Sequence, residues 1–249
     1  MKRLLLTMPG PSCPFRCRYC FAEFRQYKPQ KHLEDVALNP ALLDDVEIVY
    51  PACDNDLLAF SHGIDYLKRV AEFGRSISFS TKAAITETTA KELAAVSRVL
   101  EASGAVLKVG ISFSTLDIPS FEPGTCSYAR RLENLQTLQK FGIAHCVILK
   151  PILAQCSISQ YEAIVHDCCD STDLLLVGDE YLDDEDSRNA EGVNYREVNW
   201  LAGTPKWPVR ESPEKKREIV LYAKTMNFEV FESDLTLMKY LVTSAFTTQ

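Results

Sequence analysis

The sequence predicts an α/β fold in which six strand-helix units build a parallel sheet. Short β-rich runs recur along its 249 residues, and the stretches between them carry the apolar spacing of helices, the signature of βα units. A chain of this length buries a full-sized core as one domain. The expected strands are Arg3 to Met8, Val46 to Tyr50, Ser76 to Ser80, Val106 to Phe113, Ala144 to Leu149 and Asp173 to Val177.

Each helix has its own start or stop signal. Ile64, Leu67 and Val70 form an apolar stripe that stops before Gly74. Thr89-Ala90-Lys91-Glu92 has the capping-box pattern, and Leu93, Val96, Val99 and Leu100 follow on one face before Gly104. Tyr128, Leu132, Leu135 and Leu138 make a third stripe ending at Gly142, and Ser159 with Glu162 opens a helix carrying Ile164 and Val165. After Asp179 the pattern changes. An acidic run from Asp183 to Asp186 begins an irregular stretch through Trp200 and Trp207 to Pro208, read as a covering loop. Ser212-Pro213-Glu214 then starts a helix, Phe228 to Phe231 reads as a last strand and Leu235 to Val242 as a last helix. The division expected is a core over 1–182 and an extension over 183–249.

The net charge of -7 gives no broad attraction to nucleic-acid phosphates. The local basic strip Arg16, Arg18, Arg25, Lys28 and Lys31 reads as a solvated loop, with docking of an acidic reductant as the other use. No run approaches the roughly 18 to 20 apolar residues of a membrane span. Met1-Lys2-Arg3 leads directly into a strand with no signal peptide, so the nine cysteines are expected to be reduced thiols of a cytoplasmic protein.

Three of those cysteines carry the chemistry. Cys13, Cys17 and Cys20 form a C-x3-C-x2-C triplet, with Tyr19 before the last, on the loop after the first strand. Three thiolates can hold three irons of a 4Fe-4S cluster and leave the fourth iron open. A structural zinc site would need a fourth ligand, and the nearest histidine, His32, has no partner at knuckle spacing. In a barrel of parallel strands the working residues sit at the C-terminal strand ends. Those ends carry Tyr50-Pro51-Ala52-Cys53-Asp54-Asn55-Asp56 after strand two, Thr81-Lys82 after strand three, Ser112 on strand four with Glu122-Pro123-Gly124-Thr125 following it, and Lys150-Pro151-Ile152 after strand five.

The triplet and these strand ends together resemble the radical S-adenosyl-L-methionine (SAM) superfamily, and in particular its spore photoproduct lyase-like branch, over about residues 3 to 180. The resemblance implies a partial (β/α)6 TIM-type barrel with a small C-terminal α/β extension. It implies an enzyme that reductively cleaves SAM at the cluster, giving a 5'-deoxyadenosyl radical that takes a hydrogen atom from a substrate left unidentified. By position, Lys82 would pair with the SAM carboxylate, Tyr19 would pack by the adenine, Ser112 would hydrogen-bond carboxylate or ribose, and Asn55 and Asp56 would be SAM-binding polar groups. Cys53 matches the branch's hydrogen-donating thiol; the other reading of Cys53 is a buried packing residue, as for Cys126, Cys146, Cys156, Cys168 and Cys169. Glu122 and Arg131 read as a structural pair. Phe21 departs from the branch, which has a tyrosine there. The implied partner is an electron donor such as flavodoxin or ferredoxin, with no membrane; nucleic acid stays open but not favoured. Asp179 and Glu180, if functional, favour an amine- or guanidinium-bearing substrate. The rival readings are a DNA-lesion lyase and a non-catalytic metal-binding interaction module.

Overall fold

The computed structural model describes residues 2–20, 22, 31–182, 195–198, 207–210 and 212–247. The expectations that rest on Phe21, Arg25, Lys28, the acidic run 183–186 and Trp200 lie outside the described residues.

The core alternates strands and helices: β1 (Lys2–Leu5), α1 (Leu33–Leu38), β2 (Val46–Tyr50), α2 (Gly63–Ala71), β3 (Ser76–Thr81), α3 (Glu87–Glu101), β4 (Leu107–Ser112), α4 (Ile118–Phe121), α5 (Tyr128–Lys140), β5 (Ala144–Leu149), α6 (Ile158–Cys168) and β6 (Leu174–Val177). A hairpin of β7 (Tyr195–Val198) and β8 (Trp207–Arg210) follows, then α7 (Pro213–Thr225), β9 (Glu229–Phe231) and α8 (Asp234–Thr247).

The main sheet has seven strands in the order β1-β2-β3-β4-β5-β6-β9, every neighbouring pair parallel. The six expected strands are therefore joined by the last one, which pairs Leu174 with Glu229 and Leu176 with Phe231. The extension beyond residue 182 thus returns to the core sheet. The stretch read as a covering loop contains the antiparallel β7-β8 hairpin, tied back by a bridge from Tyr181 to Val209.

Alternation along each strand sends two sets of side chains to opposite faces. Leu4, Val49, Ile77, Val109, Val147 and Leu175 pack with the helices in the main apolar core. On the other face, Cys146, Ile148, Leu174 and Leu176 meet Leu237 of α8, with Leu241 of α8 and Phe231 of β9 packed alongside. This second face also carries the polar residues Arg3, Ser78, Lys108 and Ser112, which line a cavity.

Helix starts fall a few residues before the sequence signals. The cap of α3 is Thr86, whose side chain accepts from the Thr89 N–H, and that of α6 is Ser157, which accepts from the Gln160 N–H. Several Ser and Thr residues compete in each stretch, and the one with extended backbone immediately before the first turn wins. Among the described residues no helix is long and apolar enough to cross a membrane.

Candidate functional site

The cysteine triplet stands on the loop that leaves β1. Arg16 turns this loop with a φ of 48°, and the Cys20 N–H closes it onto the Cys17 carbonyl at 3.0 Å. The segment after β4 holds the loop from outside: the Arg18 N–H donates to the Phe121 carbonyl at 2.9 Å and the Gly124 N–H to the Phe15 carbonyl at 3.2 Å. Gly124 makes that contact possible, because a Cβ there would lie 2.7 Å from the Pro14 carbonyl oxygen and 2.8 Å from the Phe15 Cα.

A buried polar chain anchors the same segment. Glu122 and Arg131 are both fully buried and pair at 2.6 Å, the structural pair expected of them. The Tyr19 hydroxyl donates to Glu122 Oε1, and Arg131 donates to the Ser112 carbonyl at 2.9 Å and to the Thr125 hydroxyl. Tyr19, between two cysteines, is thereby connected to the end of β4. Burial raises the Glu122 carboxyl to about 7 against the opposing pull of Arg131.

After β2 the chain turns through Ala52 with a φ of 55°. The Cys53 N–H donates to the Leu6 carbonyl at 3.1 Å, and its thiol lies 3.4 Å from the same oxygen. Asp56 is buried and accepts three hydrogen bonds: from the Lys82 N–H at 2.6 Å, the Thr81 hydroxyl at 2.8 Å and the Leu58 N–H at 3.1 Å. Its carboxylate thus ties the end of β2 to the end of β3. The Lys82 ammonium lies 5.5 Å from the centroid of the Tyr19 ring, a cation-π distance.

One cavity of about 420 Å³ collects these groups. Cys13, Cys17, Cys20, Tyr19, Cys53, Asn55, Asp56, Lys82 and Ser112 all line it. Burial raises Cys13, with the Phe15 and Asp56 N–H groups opposing; burial pushes Cys17 up to about 12, with Lys82 opposing. Thiols so placed ionise when a metal takes the proton's place. Among the described residues no group of three or more His, Cys, Asp or Glu side chains is arranged to hold a single metal ion. Cys13, Cys17 and Cys20 line one cavity, with apolar Phe15 and Ala83 packed beside Cys17, and three thiolates so gathered could each take one iron of a cluster.

Sequence reasoning did not single out three charged groups of the cavity. Lys108 of β4 is buried and lies 2.5 Å from Asp234 at the start of α8, while Arg3 lines the wall from β1. Lys108 reads as an interruption of an apolar strand, and its acid partner lies 126 residues away. Asp179 and Glu180 were assigned to an amine-bearing substrate, if functional. In the structure Asp179 pairs with Arg196 at 3.0 Å and Lys216 at 3.3 Å, and Glu180 with Arg210 at 2.9 Å. Both carboxylates hold the hairpin and α7 against the sheet.

Solved structures of radical SAM enzymes share this fold. A mutant of spore photoproduct lyase aligns with a TM-score of 0.68 at 17% identity, over 89% of this chain and 74% of that one. Spore photoproduct lyase complexed with dinucleoside spore photoproduct aligns at 0.66 and 15% identity, over the same shares of 89% and 74%. The radical SAM methyltransferase TsrM from Kitasatospora setae, with tryptophan and a SAM analogue bound, aligns at 0.54 and 13% identity; it is matched over 90% of this chain and 51% of its own length. No protein-family model and no curated protein matches the chain.

Proposed function

We propose that this chain is a radical SAM enzyme whose 4Fe-4S cluster is held by Cys13, Cys17 and Cys20. The observation that carries the reading is the convergence of the three thiols with Lys82, Ser112, Asn55 and Cys53 on one cavity at the C-terminal ends of parallel strands. When bound, the cluster and SAM would supply one-electron reductive cleavage of the sulfonium and, through it, abstraction of a hydrogen atom from the substrate.

The chain's own residues do the binding and positioning. Lys82 offers a point charge to the SAM carboxylate, and Ser112 and Asn55 offer neutral polar contacts. Tyr19 turns its ring toward Lys82 while Glu122 fixes its hydroxyl, leaving the ring to pack by the adenine. Asp56, with three internal donors, acts on SAM by holding Lys82 and Asn55 in place. Cys53 faces the cavity, and burial with Asp54 beside it raises its thiol well above the usual range. It therefore keeps its proton at neutral pH and can give a hydrogen atom to a carbon radical, because an S–H bond is weak.

The sheet is read as the partial (β/α)6 barrel of the superfamily, with the core over 1–182 and the extension over 183–249 closing one end through α8. An oxygen-sensitive cluster suits the cytoplasm, and a flavodoxin or ferredoxin would supply the electron. The test is anaerobic reconstitution followed by iron, sulfide and SAM-product analysis. With a strong reductant the protein is expected to release 5'-deoxyadenosine and methionine, and Cys17→Ala to fold yet lose its iron and sulfide. Full retention of both by Cys17→Ala, or zinc alone in the parent, would sink the reading. S-adenosylhomocysteine as the only SAM product would make the chemistry methyl transfer.

A further inference from the structure

Glu122 and Arg131 lie behind the wall of the cavity: both are fully buried, 2.6 Å apart, and neither lines it. Each reaches a different wall. The Glu122 carboxylate accepts from the Tyr19 hydroxyl on the cysteine loop, while Arg131, in the first turn of α5, donates to the Ser112 carbonyl at the end of β4 at 2.9 Å and to the Thr125 hydroxyl. Tyr19 and Ser112 do line the cavity. The Tyr19 ring has the Lys82 ammonium 5.5 Å from its centroid, and the Lys82 N–H is held by Asp56 at 2.6 Å. Residues that face the cavity from three parts of the chain are thus linked to one buried ion pair.

The cysteine loop does not need this pair for its attachment. Its backbone is already fastened, by the Arg18 N–H to the Phe121 carbonyl at 2.9 Å and by the Gly124 N–H to the Phe15 carbonyl at 3.2 Å, and Phe15 and Cys17 pack against Ala83. A buried ion pair is also a weak source of stability, because taking two charges out of water costs about what their attraction returns, and well-packed apolar residues in their place are often as stable. What the pair adds is direction. The carboxylate meets a hydroxyl and a guanidinium at once, and the planar guanidinium donates in a fixed fork, so the Tyr19 ring is oriented relative to the last residue of β4.

We propose that the Glu122–Arg131 pair is a positioning device for SAM, fixing the Tyr19 ring and the end of β4 in one geometry so that the surface offered to the nucleoside and the groups offered to the carboxylate stand at a set separation. The proposal rests on reading the cavity as the SAM site. Because neither Glu122 nor Arg131 lines that cavity, both act through Tyr19 and Ser112, and through the Tyr19 ring on Lys82. Misplacing a bound group by about 1 Å can cost on the order of 10²-fold in rate. The loss of a hydrogen bond that orients the loop without attaching it should therefore appear in SAM affinity and not in iron content.

The test is calorimetric titration of the anaerobically reconstituted, unreduced protein with SAM, alongside iron per chain and the denaturant midpoint before reconstitution. Tyr19→Phe keeps the ring but removes the hydroxyl that meets Glu122, and Arg131→Lys keeps the opposing charge but not the fork. Each is expected to weaken SAM binding by about fivefold or more, the worth of one ordinary hydrogen bond, at unchanged iron per chain. In the double variant the two losses are expected to be less than additive, since both pass through the same pair. Where the midpoint shows that Arg131→Lys does not fold, Glu122→Gln takes its place in the cycle, and Tyr19→Phe alone still decides whether the hydroxyl matters. Parental SAM affinity in Tyr19→Phe, strictly additive losses, or SAM binding that falls only in step with iron overturns the proposal. Iron and SAM binding of the parent separate the two readings. A parent that has both yet gives one of those results sinks this proposal alone, whereas a parent with neither sinks the enzyme reading and the positioning role with it.

Discussion

Gly124 has no chemistry of its own, yet it lets the segment after β4 lie against the cysteine loop. Its missing Cβ leaves the Phe15 carbonyl free to accept from its N–H at 3.2 Å. Gly124→Ala places a methyl group 2.7 Å from the Pro14 carbonyl oxygen and 2.8 Å from the Phe15 Cα, backbone atoms next to the Phe15 carbonyl that the Gly124 N–H holds. The expected cost is roughly 1–3 kcal/mol, the range for overpacking a closed site, read from the denaturant midpoint, together with a fall in iron bound per chain. Unchanged stability and iron content would mean that the loop is not held by this contact. A different residue-scale prediction concerns Cys53. Cys53→Ser keeps size and polarity but removes the weak S–H bond, so 5'-deoxyadenosine should still form while normal product falls and abortive products appear. The same product yield and distribution in Cys53→Ser, measured with the substrate in hand, would return this thiol to a packing role. The cysteine triplet was legible because its spacing is short and local. The role of Glu122 was legible only as a pair with Arg131, because its third member, Tyr19, lies 103 residues away and no local pattern links them.

At the scale of elements, α8 is fastened to the inner face of the sheet by charge as well as by Leu237. Lys108 of β4 is buried and Asp234 at the start of α8 partly so, 2.5 Å apart, and the Ser78 hydroxyl donates to the other carboxylate oxygen at 2.8 Å. Burial works against the Asp234 carboxylate, but Lys108 together with the hydrogen bond from Ser78 outweighs it and holds this group below the usual carboxylate range. A carboxyl depressed on folding adds stability above its unfolded value, near 3.9, and loses that contribution as pH falls through the lower folded value. Stability should therefore drop as pH falls below about 4, and Asp234→Asn should flatten that part of the profile. At neutral pH Asp234→Asn leaves Lys108 buried without its counter-charge, at a cost of roughly 3–5 kcal/mol. Urea denaturation across pH checks both. An acid limb identical in parent and variant would show that the pair is not coupled to folding. The strands of the core were readable because β-rich runs punctuated by Gly and helical stripes are local signals. The place of β9 beside β6 was not, since three residues with alternating exposure do not say which edge they join, and Lys108 does not name Asp234.

At the scale of the whole molecule, fold and charge point to different partners. The fold is similar to that of spore photoproduct lyase, an enzyme solved in complex with dinucleoside spore photoproduct, and the second reading of the sequence is a DNA-lesion lyase. The charge of -7 gives no broad attraction to nucleic-acid phosphates. This conflict could not be resolved from sequence: the positions of Arg3, Lys150 and Lys216 are scattered along the chain, and only the closing of β7, α7 and β9 around the end of β6 brings them to one cavity. Protein that binds DNA through phosphates releases counterions, so its affinity falls steeply with salt, and even non-specific binders reach dissociation constants of roughly 10⁻⁴–10⁻⁶ M at physiological salt. For this chain we expect weaker duplex binding than that, with fluorescence anisotropy of a labelled duplex unchanged up to about 100 µM protein in about 150 mM salt. The same titration at about 50 mM salt should gain little, because few phosphates would be neutralised. Micromolar binding with a steep dependence on salt would reverse the preference and make the lesion-lyase reading the stronger one.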